Sequence, residues 1–222
     1  MGKPFAHDWS VYLVTDRACL GGRDLAEVVA AAVRGGASVV QLREKDAGDA
    51  LVLSEGRRVR DVCRARGVLF IVNDRPDLAL ELDADGVHVG QSDVALPEAR
   101  RILGRDRIVG VSVGNREEAE AAERNGADYL GVSPVFDTPT KTDAGAATGL
   151  FGLAAIRKAV RVPLVAIGGV DESNAASVIR AGADGVAVVR AIMAATDPEA
   201  AAARLRILVQ SATRDAGPRF RF

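Results

Sequence analysis

Three groups of residues in this sequence could do chemistry, and each falls in the stretches that follow short apolar runs. The first is Gln41-Leu42-Arg43-Glu44-Lys45. In an extended chain alternate side chains share a face, so Gln41, Arg43 and Lys45 point one way while Leu42 and Glu44 point the other. Two cations and an amide then enter one space, a set suited to a diphosphate; the alternative is a solvated charge run. The second group is Asn73-Asp74 together with Asp93. Two carboxylates from neighbouring strand ends could hold one hard cation, and Mg²⁺ fits because it takes one or two carboxylates plus waters and phosphate oxygens. The alternative is that each aspartate caps the helix after it. Asp74, before Arg75-Pro76, suits that role, whereas Asp93 stands several residues ahead of the next helical start near Pro97. The third group joins Thr138-Pro139-Thr140-Lys141, whose hydroxyls and ammonium suit an anion clamp, to Gly168-Gly169 and Val189-Arg190. There, bare backbone amides and a helix start offer a phosphate site.

These groups imply two phosphorylated small molecules. A metal-bound diphosphate would lie on Gln41, Arg43, Lys45, Asn73, Asp74, Asp93 and Ser112. A monophosphate would lie on Thr138, Thr140, Gly169, Val189 and Arg190, with Lys141 leaning between the two. Other chemistries are poorly supplied. The two histidines, His7 and His88, and the widely separated Cys19 and Cys63 make neither a common zinc pattern nor a disulfide framework. Any serine triad would have to be built around His88, which falls in mid-strand and reads as a satisfied packing residue of the interior.

The elements that must position these groups follow from periodicity. Eight short, nearly continuous apolar runs begin at Tyr12, Val39, Leu69, Gly86, Ile108, Tyr129, Leu164 and Val186. Segments of helical period separate them, as expected of buried parallel strands covered by helices. Eight such units match the closed (β/α)8 TIM barrel better than an open doubly wound sheet. Gly36-Ala37-Ser38, Asp83-Ala84-Asp85, Gly126-Ala127-Asp128 and Gly182-Ala183-Asp184 each precede an even-numbered strand, pointing to a unit of two βα pairs used four times. The leading glycine or short polar residue suits a left-handed turn after a helix. No linker interrupts the series, so residues 1–222 read as one α/β domain with a core of about 10–213 and short terminal extensions. The ends are expected to fray unless Trp9, Phe220 or Phe222 docks on the barrel.

The chain has 222 residues, 48% of them hydrophobic, enough for a full core. Its 29 basic and 30 acidic residues are well mixed, with a formal charge of -1. That balance gives no electrostatic reason to expect nucleic acid or a membrane surface as partner. No apolar stretch approaches ~18 residues and no signal-like segment opens the chain, so a cytoplasmic protein is expected. The sequence leaves a homo-oligomer open.

In order and spacing, these residues resemble the thiamine-phosphate synthase family, from Tyr12 to about Arg204. The carriers are Tyr12 to Asp16, Gln41 to Lys45, Asn73 to Arg75, Asp85 to Asp93, Thr138 to Lys141 and Ile167 to Val170. The resemblance implies a transferase that condenses hydroxymethylpyrimidine diphosphate with hydroxyethylthiazole phosphate, giving thiamine phosphate and pyrophosphate with Mg²⁺. It assigns Gln41, Leu42, Arg43, Glu44, Lys45, Asn73, Ser112 and Lys141 to the pyrimidine diphosphate, and Asp74 and Asp93 to the metal. Thr138, Pro139, Thr140, Gly169, Val189 and residue 190 go to the thiazole phosphate, and Arg43, Lys45, Ser112 and Lys141 carry catalysis. Two departures stand out. Position 190 is Arg where the family pattern has Ser, and Arg can still bind phosphate. Position 114 is Gly where relatives often carry His, which counts against the related thiazole tautomerase. An isomerase reading would need a proton-transferring residue at the barrel mouth, with Asp16 or Glu44 as the candidates. A silent ligand-binding paralogue should have lost charged site residues, and none is lost.

Overall fold

The computed structural model describes residues 7–45, 47–137 and 147–216. Eight parallel strands close in sequence order into a barrel: β1 Val11–Val14, β2 Val39–Leu42, β3 Leu69–Asn73, β4 Gly86–Val89, β5 Ile108–Val113, β6 Tyr129–Val132, β7 Leu164–Ala166 and β8 Gly185–Val188. The helices are α1 Leu25–Arg34, α2 Asp49–Arg64, α3 Pro76–Glu81, α4 Leu96–Leu103, α5 Arg116–Arg124, α6 Gly149–Ala159, α7 Ala175–Arg180, α8 Arg190–Met193 and α9 Pro198–Ala216. A short 3-10 helix, Arg17–Cys19, that periodicity does not reveal follows β1. No described helix is long and apolar enough to cross a membrane.

Two apolar cores follow from strand alternation. Val11, Leu13, Val40, Leu42 and their counterparts face outward into the helix layer, while Tyr12, Val14, Val39, Ile71, Ile108, Tyr129 and Val165 fill the barrel interior. Trp9 closes the lower end of that interior. It is buried, and its ring lies 4.4 Å from the Tyr129 ring centroid to centroid. Gly185 permits this, since a Cβ there would meet the Trp9 carbonyl oxygen at 1.7 Å. Trp9 therefore docks, while Phe220 and Phe222 lie outside the described residues.

The fourfold repeat has a physical basis at the same end. Gly36, Asp83, Gly126 and Gly182 all have positive φ (106°, 50°, 87° and 121°), the left-handed turn expected after a helix. Two residues later, each unit's polar side chain reaches back to the preceding odd-numbered strand. Val11 N donates to Ser38 Oγ, Phe70 N to Asp85 Oδ2, Val109 N to Asp128 Oδ2 and Leu164 N to Asp184 Oδ2. Four strand starts are thus satisfied by one repeated device, and the alanine between lies buried each time. Some boundaries shift from the sequence reading. β5 runs through Ser112, and β7 ends at Ala166, close to the left-handed Gly168 with φ 96. At Val189 ψ turns to -80, and α8 starts at Arg190.

Candidate active site

A cavity of about 500 Å³ opens at the C-terminal ends of the strands, the end at which loops of such barrels build sites. The end of β2 and the residues just after it send Gln41, Arg43 and Lys45 into it, the face that alternation predicts. Leu42 and Glu44 do not line it: Leu42 is packed in the outer core, and Glu44 binds Arg17 at 3.2 Å. Thr15, fully buried at the end of β1, fixes this strand end from both sides. Its amide donates to the Gln41 carbonyl and its Oγ1 accepts from Arg43 N, each at 2.9 Å. Arg43 makes no ion pair among the described residues, so its charge is available to an anion in the cavity.

Asn73, Asp74 and Asp93 line the adjacent wall. Neither aspartate caps a helix. Arg75 is the N-cap of α3 and Ala95 that of α4, both without a side-chain cap bond. Asp93 Oδ2 instead accepts from Gly90 N at 2.9 Å, and Asn73 Nδ2 donates to Asp74 Oδ2 at 2.5 Å. The Asp74 and Asp93 carboxyls line the same wall and act on each other. Burial, and then the neighbouring Asp93 carboxyl, push the Asp74 carboxyl up to about 6. Asp74 also holds the left-handed backbone, φ 60, uncommon outside glycine. Two adjoining carboxylates need a proton or a cation between them. All-oxygen donors on a half-buried wall suit a hard divalent ion. No cluster of three or more histidine, cysteine or acidic residues exists among the described residues, so the remaining coordination would come from water and substrate oxygens.

On the opposite side, Gly168, Gly169, Val189, Arg190 and Ala191 line the cavity. The glycine pair is required there: φ is 96° and 64°, and Cβ atoms would come within 2.6 Å of Pro134 Cβ and 2.8 Å of the Asp137 carbonyl oxygen. Arg190 is exposed at the start of α8 and makes no ion pair among the described residues. Thr138, Pro139, Thr140 and Lys141 lie outside the described residues. Gly114 stands off the cavity, its amide donating to Glu118 Oε2 at 2.7 Å. Asp16 caps the 3-10 helix through Ala18 N. Neither Asp16 nor Glu44 is in the cavity lining, which removes the two proton-transfer candidates of the isomerase reading.

The floor holds what the sequence reading undervalued. Tyr12, His88 and Tyr129 line the cavity beside Gln41 and Ser112, and the five side chains are hydrogen bonded in series. Gln41 Nε2 donates to Tyr12 Oη at 2.8 Å, Tyr12 Oη meets Tyr129 Oη at 2.8 Å, His88 Nδ1 meets Tyr129 Oη at 2.8 Å, and His88 Nε2 meets Ser112 Oγ at 2.9 Å. His88 is satisfied, as expected, but by site groups and not by packing alone. A signal was present in Gly110 and Gly131, since glycine inside an apolar strand marks close approach by a neighbour. A Cβ at 110 would strike the Tyr129 ring at 2.2 Å, and one at 131 would lie 2.9 Å from His88 Cε1.

Comparison with known proteins agrees with this geometry. Residues 11–192 match the family described as thiamine monophosphate synthase. The thiamine-phosphate synthase of Chloroflexus aurantiacus is 54% identical over 202 residues, covering 91% of this chain and 93% of that protein. That of Syntrophomonas wolfei is 52% identical over 199 residues, covering 90% and 95%. The solved thiamine phosphate pyrophosphorylase of Pyrococcus furiosus superposes with a TM-score of 0.86 at 38% identity, covering 94% of this chain and 98% of that one. With its barrel, its strand-end cations and its carboxylate pair, the chain belongs to the thiamine-phosphate synthase family.

Proposed function

We propose that this enzyme joins hydroxymethylpyrimidine diphosphate to hydroxyethylthiazole phosphate, releasing pyrophosphate and forming thiamine phosphate. The observation that carries the reading is the convergence of Arg43 and Lys45 with the Asp74–Asp93 pair on one wall of a single cavity, with Gly169 and Arg190 facing them. Mg²⁺ bound at Asp74 and Asp93 would neutralise charge on the diphosphate and its leaving group. Arg43, Lys45 and Lys141 add positive charge to the same oxygens, and Asn73 offers an amide donor beside them. Gln41 and Ser112 address the pyrimidine ring. Gly169, Val189, Arg190 and the Thr138-Pro139-Thr140 segment take the thiazole phosphate.

The chemistry asks little acid–base work of the protein. The carbon–oxygen bond at the pyrimidine methylene breaks as pyrophosphate leaves, the ring amino group donating electron density to the cation that forms. The thiazole nitrogen lone pair then closes the new carbon–nitrogen bond. That nitrogen carries no proton, so no general base is needed, in keeping with a cavity whose one imidazole is already hydrogen bonded at both nitrogens. The chain's contribution is charge neutralisation, alignment and exclusion of water. The test is pyrophosphate release from magnesium and the two substrates, omitting each in turn. Release requiring all three, with thiamine phosphate in equal amount, supports the reading; release without the thiazole phosphate, or none, overturns it.

A further inference from the structure

From the floor of the cavity we infer that Gln41, Tyr12, Tyr129, His88 and Ser112 form one polarised relay, in which His88 is the Nε2–H tautomer. The relay fixes Ser112 as a donor and Gln41 as an acceptor toward the bound ring. The inference deepens the proposed function and rests on it for the identity of that ring.

A count of protons sets the direction of every bond in the series. Each phenol has a single hydrogen, and burial raises both Tyr12 and Tyr129 above the usual phenol range, so both keep it. Tyr12 Oη already accepts from the Gln41 amide, which leaves its own hydrogen for Tyr129. Tyr129 then donates to His88 Nδ1, which must be the bare nitrogen, and the hydrogen on Nε2 points to Ser112 Oγ. The Ser112 hydrogen is left for the cavity, as is Gln41 Oε1. Reversing any one bond reverses all of them: Tyr12 would then face the Gln41 amide hydrogens with a hydrogen of its own unless that amide turned over. The ends of the chain are therefore one variable, with two settings of opposite donor and acceptor pattern. The observed setting suits a heteroaromatic ring with an amino donor for Gln41 and a bare ring nitrogen for Ser112, as an aminopyrimidine has. Gly110 and Gly131, which make room for the Tyr129 and His88 rings, belong to the same device. Tyr12, Tyr129 and His88 are positioning residues, since they act on the ring through Gln41 and Ser112.

The first experiment reads the tautomer of the wild-type protein from long-range ¹⁵N–¹H correlations of ¹⁵N-histidine. The chain has 2 histidines, and His7→Gln assigns the spectrum. The expected result is a bare Nδ1 and a hydrogen on Nε2 of His88; a hydrogen on Nδ1 instead overturns the relay. The second uses Tyr129→Phe, which removes the middle link. The His88 tautomer should become mixed, and KM for the pyrimidine diphosphate should rise about tenfold, the equivalent of one lost hydrogen bond, with KM for the thiazole phosphate unchanged. If that variant fails to fold, Tyr12→Phe makes the same test one link away. A retained single tautomer, or equal change in both KM values, overturns the inference. An enzyme that releases no pyrophosphate refutes the proposed activity and leaves the tautomer result standing, whereas the wrong tautomer in an active enzyme refutes the relay alone.

Discussion

Replacing Asp74 by asparagine removes one of two adjoining negative charges while keeping what the position requires. Its backbone is left-handed at φ 60, which asparagine tolerates and alanine would resist at a cost of ~1 kcal/mol. The asparagine oxygen can still accept from Asn73 Nδ2. In metal-free protein, burial and Asp93 move the Asp74 carboxyl from 3.8 to about 6, so at pH 7.5 it is ionised against a repulsive neighbour. At full strength that displacement corresponds to roughly 3 kcal/mol. The wall is open to solvent, and screening leaves on the order of 1 kcal/mol in the folding equilibrium. For a chain of this length that is roughly 3 °C of Tm, so Asp74→Asn should melt higher than wild type in EDTA at pH 7.5.

The sign with pH is fixed by linkage. The folded-state pKa lies above the unfolded value, so the folded protein takes up the extra proton as pH falls, and wild type gains stability from pH 7.5 toward 5. The variant has nothing to titrate there, so its advantage should fall to about half at pH 5 and vanish only below the unfolded value of 3.8. Magnesium should invert the order: at a hundredfold excess over Kd it would stabilise wild type by about 2.7 kcal/mol and the variant far less. Scanning calorimetry in EDTA and in magnesium, at both pH values, measures all three effects. A variant that melts below wild type in EDTA at pH 7.5, or that keeps the full magnesium shift, would refute the reasoning.

Three further substitutions probe separate parts of the molecule. Arg190→Ser should raise KM for the thiazole phosphate about tenfold, the scale of one charged hydrogen bond, and steady-state kinetics showing the change on the pyrimidine substrate instead would contradict the assignment. Gly131→Ala places a Cβ 2.9 Å from His88 Cε1. The displaced ring should weaken pyrimidine diphosphate binding several-fold, by calorimetric titration, with little change in Tm. Asp184→Ala removes the acceptor of Leu164 N and the partner of Arg157 at the far end of the barrel. It should cost about 2 kcal/mol of stability in denaturant titration and leave both KM values in place.

The barrel was legible because its rules are local. Continuous apolar runs require strands covered on both sides, and the Gly-Ala-Asp repeat marks a turn whose conformation and whose aspartate contacts recur at Asp85, Asp128 and Asp184. The side chains of Gln41, Arg43 and Lys45 could be aimed from alternation alone, which also aims Leu42 and Glu44 away from the cavity. What alternation does not reveal is which polar atoms meet across a closed barrel. Tyr12 and Tyr129 stand 117 residues apart in the chain and read as members of apolar runs, because a tyrosine ring in a strand is hydrophobic until its hydroxyl has an address. Closure supplies that address. It stacks Trp9 beneath Tyr129, seats the Tyr129 ring over Gly110, and brings the two phenols between Gln41 and His88. The charges of this site were written into its strand ends, but the hydrogen-bonded series of its floor is a property of the closed barrel, and under the proposed function it is what would let a diphosphate site select the ring attached to the diphosphate.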